Sequence, residues 1–478
     1  MGTIIKLDPV TRLEGHLKIE VEIDGSNKVV NAHSTGNMFR GFEKILVGRD
    51  PRDAVHLTQR ICGLCPVSHA IASVKAIENA FGFKANNDAI VLRNLIQGSN
   101  FLSDHILQFY HLSVLDYVKG PEKSPWVPGY DIDMRLTAAE TQAVINNYIK
   151  ALEIRRKAHE MAAILSGKIP HVMSIVPGGV TKVPLSTDIT KFKTYLTDVK
   201  AFIDNVYMND VNLIAEKYSD YYSVGKGVGN LLTFGVFDTD TSGNTLFRRG
   251  TYKNGIIGTI DPLKVKEFTK YSWYSDDSGN RNPSDGKTDV MYAKTGAYSY
   301  LKAPRYDGEV YELGPLARMI INGEYTGNIS VMDRHMARAL ETKKLAGQMV
   351  IWANMMTTSM KPYTQLKLPT SGVGIGLTEA PRGALGHWLN FSSQRTTNYQ
   401  IITPTCWNAS PRDDFGKMGA IEQALIGVTI ADITKPIELL RIVHSFDPCT
   451  GCSVHVIDSE KNIKSEFVVS TPNPMGVL

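Results

Sequence analysis

Two cysteine pairs stand near opposite ends of the chain, Arg60-Ile-Cys62-Gly-Leu-Cys65-Pro-Val-Ser-His69 and Asp447-Pro-Cys449-Thr-Gly-Cys452-Ser-Val-His455. Each is a Cys-x-x-Cys with a histidine a few residues downstream. A turn of this spacing presents two sulfurs to one metal, and two such turns supply the four thiolates that a soft metal prefers. Pairs separated by about 15–20 residues read as structural zinc. Here 383 residues separate Cys65 from Cys449. Structural zinc usually staples a local loop, so a span this long favours a centre that joins two ends of a large core. The pattern alone leaves zinc, a redox dithiol and a catalytic metal centre open. Cys406 is the fifth cysteine, and five are too few to hold a chain of 478 residues together as a disulfide framework.

The elements that must carry these pairs differ along the chain. TIIKL, HLKIEVEI and KVVNAHS alternate like strands, with the turn-forming Asp24-Gly25-Ser26-Asn27 between the second and third, which predicts a small N-terminal sheet. After Pro66 the period becomes helical, through HAIASVKAIENAFG to a stop at Gly82. Four long helical segments follow, near 89–117, 138–166, 188–218 and 331–360. The second is the best marked: Thr137 and Glu140 form a capping box, and Gly167 then Pro170 end it. Helices of this length must each bury an apolar stripe, which predicts a central bundle. Between 222 and 310 the composition turns to Gly, Asp, Ser, Asn and Tyr, as expected for a peripheral lobe of short strands and loops. The expected class is α+β, mainly α, as one domain over 1–478 with a polar, strand-prone tail at 456–478.

The composition excludes several classes of function. An apolar share of 43%, a charged share of 21% and a net charge of +4 are ordinary for a globular chain and imply no nucleic-acid partner. No run of about 18 apolar residues occurs and the start has no signal-peptide pattern, so the chain is expected neither to span a membrane nor to direct its own export.

R-x-C-G-x-C-x-x-x-H with D-P-C-x-x-C-x-x-H resembles the paired signatures of nickel–iron hydrogenase large subunits. RLEGH (12–16), FRGFEKILVGRDPRDA (39–54), EAPRGALGHW (379–388) and CWNASPRD (406–413) resemble further family blocks in the family's order, so the likeness spans essentially the whole chain. The resemblance implies that Cys62, Cys65, Cys449 and Cys452 bind nickel, with Cys65 and Cys452 also bridging to an iron that carries CO and CN−. Hydride would sit at the open bridging position while H2 is split heterolytically. Glu14 would take the proton from the Cys449 thiolate. Arg382 would stand over the open face, with Asp104 and Asp447 as its carboxylate partners. Pro381 and Thr405 would line the cyanide pockets, Leu64 and Leu112 the inner end of an apolar gas tunnel, and His69 would hydrogen-bond the Cys65 sulfur. Glu43, His455 and the Ile401 carbonyl would hold a magnesium ion. Taken alone, the charged residues of this set read as solvated surface groups, the leucines and His69 as core packing.

The electrons must also leave, and after the four ligands only Cys406 remains, which cannot hold an iron–sulfur cluster alone. An iron–sulfur small subunit is therefore expected, along with metal-insertion proteins and an endopeptidase that removes the residues after His455. The form of residues 39–54 looks most like the respiratory uptake branch, which implies a periplasmic or membrane-associated heterodimer carried out of the cytoplasm by its partner. A non-catalytic relative in a respiratory complex is disfavoured, because those relatives have lost the cysteine ligands.

Overall fold

The structure is a computed structural model that describes residues 2–127 and 129–450. Cys452, His455 and the 456–478 tail lie outside the described residues.

The N-terminal sheet forms as expected. Strands β1 (Thr3–Leu7), β2 (Leu17–Ile23) and β3 (Val29–Gly36) pair antiparallel in the order β1-β2-β3. Alternate residues of β2 are buried, so its period of two places Leu17, Ile19, Val21 and Ile23 inward.

Helix α1 (Pro66–Ala80) starts at Cys65, which occupies the N-cap position with proline next, and it ends before Gly82, whose φ is +65°. Helix α2 (Asn87–Leu107) is capped by the Asn86 side chain. It continues as a π-turn over Gln108–Ser113 and a 3-10 turn over Val114–Asp116. Helix α3 (Ala138–Ser166) has the predicted box, Thr137 accepting from the Glu140 N–H while Glu140 accepts from the Thr137 N–H. Helices α4 (Ser186–Phe202) and α5 (Met208–Lys217) form one rod interrupted by a π-turn over Ile203–Tyr207. After the short helix α6 (Pro315–Ile321), helix α7 (Val331–Met355) completes the set. α2 packs on α3 and α7, and α4 packs on α3 and α7, so the four long rods close a ring around one core.

Between Leu231 and Tyr306 the chain forms seven short strands. A sheet that the helical reading of the chain did not include follows α7. Strands β4 (Gly372–Ala380), β5 (Gly383–Ser392) and β6 (Arg395–Ile402) form an antiparallel meander. β4 lies directly on α1. The expectation of a mainly helical chain thus understates the sheet, and this sheet is what carries Arg382 to the cysteines. A last helix, α8 (Ile437–Ser445), delivers Asp447 and Cys449.

Candidate metal centre

The segments around Cys62–Cys65 and Cys449, far apart in sequence, meet. Sγ atoms of Cys62, Cys65 and Cys449 all lie within 4.8 Å of one another, and all three residues are buried. Cys62 Sγ is 3.3 Å from Cys449 Sγ, and the N–H groups of Leu64 and Cys65 both donate to Cys62 Sγ at 3.3 Å. Such donors favour a thiolate, the form that binds metal. Three soft donors converging in a buried apolar cluster with Ile61, Leu64 and Ala380 fit a soft metal ion.

Glu14 reaches this cluster from the N-terminal strand region. Its backbone makes a parallel bridge with Cys449, and Thr450 Oγ1 donates to its carbonyl at 3.3 Å. Two residues earlier, Arg12 (φ 55°) is tied by its guanidinium to Asp116 and to the Leu112 carbonyl, which fixes the approach of the loop. Burial, followed by the negative charge of the Cys62 thiolate, pushes the Glu14 carboxyl above the usual carboxylate range, while Arg382 and Arg40 pull it down.

On the other side, Arg382 is 2% exposed and sits in the two-residue turn between β4 and β5. It donates to Asp104 at 2.7 and 3.3 Å and to Asp447 at 3.0 Å. Burial disfavours its charge, but the two aspartates and the nearby Cys449 and Cys65 sulfurs overcome this and hold the guanidinium well above its ordinary value. Asp447 itself is pushed up to about 7 by burial, against the pull of Arg382. Thr405 Oγ1 accepts the Cys449 N–H at 2.9 Å. His69, in the first turn of α1, has Nδ1 3.1 Å from Nε2 of His387, whose Nδ1 lies 2.8 Å from the Tyr399 hydroxyl. Burial lowers His69 to about 4, so the ring is neutral near pH 7.

Glu43 and Ile401 also come together. The Ile401 N–H donates to Glu43 Oε1 at 2.9 Å, Thr288 donates to the other carboxylate oxygen, and both residues line a cavity of about 50 Å³ with Glu267 and Lys302. A cavity of this size has room for ordered water. Leu64 packs among the cysteines, and Leu112 sits in the π-turn after α2.

Residues 40–123, 119–329 and 322–455 match the family described as Nickel-dependent hydrogenase, and residues 4–35 match one described as HoxL-like. The chain belongs to the nickel-dependent hydrogenase family. It is 42% identical to the periplasmic [NiFeSe] hydrogenase large subunit of Desulfomicrobium baculatum, over 95% of each chain. It is 32% identical to the hydrogenase-2 large chain of Escherichia coli (strain K12), over 97% of this chain and 99% of that one. Its fold superposes on the Ni-Fe-Se hydrogenase from D. vulgaris Hildenborough with a TM-score of 0.92, at 42% identity over 95% of this chain and 100% of that chain. This hydrogenase large subunit thus buries Cys62, Cys65 and Cys449 together within a family fold.

The sequence missed part of the supporting shell. Arg318, Arg338, Glu341 and His105 are buried around Arg382 and Asp104. The available signal was in α7, where Arg334, Arg338 and Glu341 recur at i, i+4 and i+7 on the face that faces the core.

Proposed function

We propose that this hydrogenase large subunit holds one nickel–iron centre on Cys62, Cys65, Cys449 and Cys452, with Cys65 and Cys452 shared between the metals and with CO and CN− on the iron. The observation that carries this reading is the convergence of three buried sulfurs from two ends of the chain. When bound, the centre supplies the site at which H2 is split into two protons and two electrons.

The chain's own residues then have distinct tasks. The cysteine sulfurs are anionic bases beside the reacting gas. Glu14, with its raised carboxyl, receives the proton and passes it outward, because a group with a higher pKa shares a proton readily with a thiolate. Arg382, held by Asp104 and Asp447, would orient the diatomic ligands of a bound iron, and Pro381 would line their pocket. Thr405 accepts from Cys449 N–H and can give its own hydroxyl proton to a ligand. His69 supports the Cys65 sulfur through the ring nitrogen that His387 does not occupy. Glu43, the Ile401 carbonyl and His455 would hold Mg2+, with water completing an oxygen-rich set. Leu64 and Leu112 line the route of the gas.

Electrons pass to an iron–sulfur small subunit, since beyond the four ligands only Cys406 remains and one cysteine cannot hold a cluster. No described helix is long and apolar enough to cross a membrane. A periplasmic location for the heterodimer is consistent with the periplasmic relative, and its maturation would use metal-insertion proteins and an endopeptidase acting after His455. Nickel analysis of the enzyme purified with its partner tests the ligand set: Cys62→Ser and Cys449→Ser should each abolish nickel retention. Full nickel in both variants would refute it.

A further inference from the structure

Arg318, on α6, is fully buried, and its five N–H groups meet five acceptors. Nε donates to Glu341 Oε2 at 2.7 Å. Nη2 donates to Glu341 Oε1 at 2.7 Å and to the Pro381 carbonyl at 2.7 Å, and Nη1 to Glu379 Oε2 at 2.7 Å and to the Ala380 carbonyl at 3.1 Å. The carboxylates are themselves anchored. Glu341 is held by His105 Nε2 at 2.8 Å, and Glu379 accepts from Thr233 Oγ1 at 3.0 Å and the Phe234 N–H at 2.6 Å. A planar guanidinium with all five protons engaged is rigid in a way that an ammonium with three cannot be.

Two of those acceptors are the carbonyls of the residues immediately before Arg382. Ala380 pairs with Gly383 across β4 and β5, so Pro381 and Arg382 alone form the turn. Proline offers no N–H there to tie the turn down. Gly383, at φ +134°, seats the other side against Leu313, whose Cβ would lie 2.5 Å from an added side chain. The turn is therefore gripped by Arg318 on one side and by a close backbone approach on the other.

We propose that Arg318 is a positioning residue for the hydrogenase reaction: by fixing the Ala380 and Pro381 carbonyls it sets where the Arg382 guanidinium and the Pro381 ring stand beside the cysteine cluster. The proposal rests on the reading of that cluster as the nickel–iron centre. It assigns Arg318 no contact with gas or metal. Its effect passes entirely through the turn.

The test compares Arg318→Lys with Glu379→Gln in the complete enzyme, by H2 oxidation rate, nickel content, thermal midpoint and infrared bands of metal-bound CN−. Lysine keeps the charge beside Glu341 and Glu379 but cannot span both carbonyls. The lysine variant should keep its nickel, lose about tenfold or more in rate and show displaced CN− bands. Glu379→Gln keeps both carbonyl bonds, so it should lower the thermal midpoint while leaving bands and rate close to native. Native bands and rate in Arg318→Lys would overturn the proposal. So would Glu379→Gln moving both as far as Arg318→Lys, because the network would then serve the fold and not the turn. Absence of any such band in the native enzyme overturns the reading of the cluster, and the proposal with it.

Discussion

Gly376 offers a direct probe of how the fold aims the centre. It lies on β4 where the strand presses on α1, six residues before Arg382, while α1 begins at Cys65. A Cβ at 376 would stand 1.9 Å from the Ala72 carbonyl oxygen and 2.5 Å from the Ala76 nitrogen. Both are backbone atoms of a helix and cannot rotate away. Contacts under 3.0 Å are essentially never seen, so the strand and helix must part by about 1.1 Å, the difference between 3.0 and 1.9 Å. Forced overpacking of this kind costs about 1–3 kcal/mol. The functional effect should be larger. A displacement of about 1 Å at a reacting centre can cost on the order of hundredfold in rate, and here the moving strand carries Arg382 away from the helix that carries Cys65. Gly376→Ala should therefore bind nickel, melt earlier and oxidise H2 about a hundredfold more slowly in a dye-reduction assay. Gly347→Ala is the control, because nothing lies within 4 Å of a Cβ there on helix α7, and alanine should stabilise that helix by roughly 0.5–1 kcal/mol. A Gly376→Ala enzyme with native rate and melting would refute the claim that the glycine contact sets the spacing of the two halves.

Two further outcomes are expected. Glu14→Gln keeps the shape of the side chain but cannot carry a proton, so exchange of D2 with solvent protons should fall by about a hundredfold or more while the infrared bands of the centre stay in place; unchanged exchange would remove Glu14 from the proton route. Glu422 is buried, accepts from the Ser34 N–H at 2.9 Å and from the Tyr298 hydroxyl at 2.8 Å, and is pushed up to about 7 by burial. Its folded value exceeds the unfolded one near 4.5, so the folded chain binds more protons in between. Its contribution is fully present below about pH 4.5 and is lost as pH rises through about 7, at up to about 1.4 kcal/mol per pH unit. Glu422→Gln should flatten the fall in melting temperature between pH 5 and 8; an unchanged slope would refute the assignment.

Much of this was legible in the sequence because the signals are local. The Thr137–Glu140 box, the alternation of β2 and the stop at Gly82 each act within a few residues. The cysteine spacing announces a metal turn for the same reason. What escaped depends on contacts far apart in sequence. β4 is weak as a strand by composition, since Gly372, Gly374 and Gly376 offer no side chain; the close fit of Gly374 and Gly376 against Ala76 and Ala72 of α1, and of Gly372 against the Phe391 ring, explains them. Buried charges escaped likewise. By residue type Arg318 and Arg338 carry no local sign of burial, because Glu341, Glu379 and the backbone carbonyls that receive their protons come from distant segments. The π-turns at 108–113 and 203–207 have no local residue signal that we can identify.

The most direct test of the central claim is metal analysis joined to infrared spectroscopy on the chain purified with its natural partner. Nickel and iron in equal amounts, with stretching bands of metal-bound CO and CN−, is the predicted result. Zinc alone, with no such bands in a chain whose C-terminal segment has been cleaved as in a mature enzyme, would contradict it.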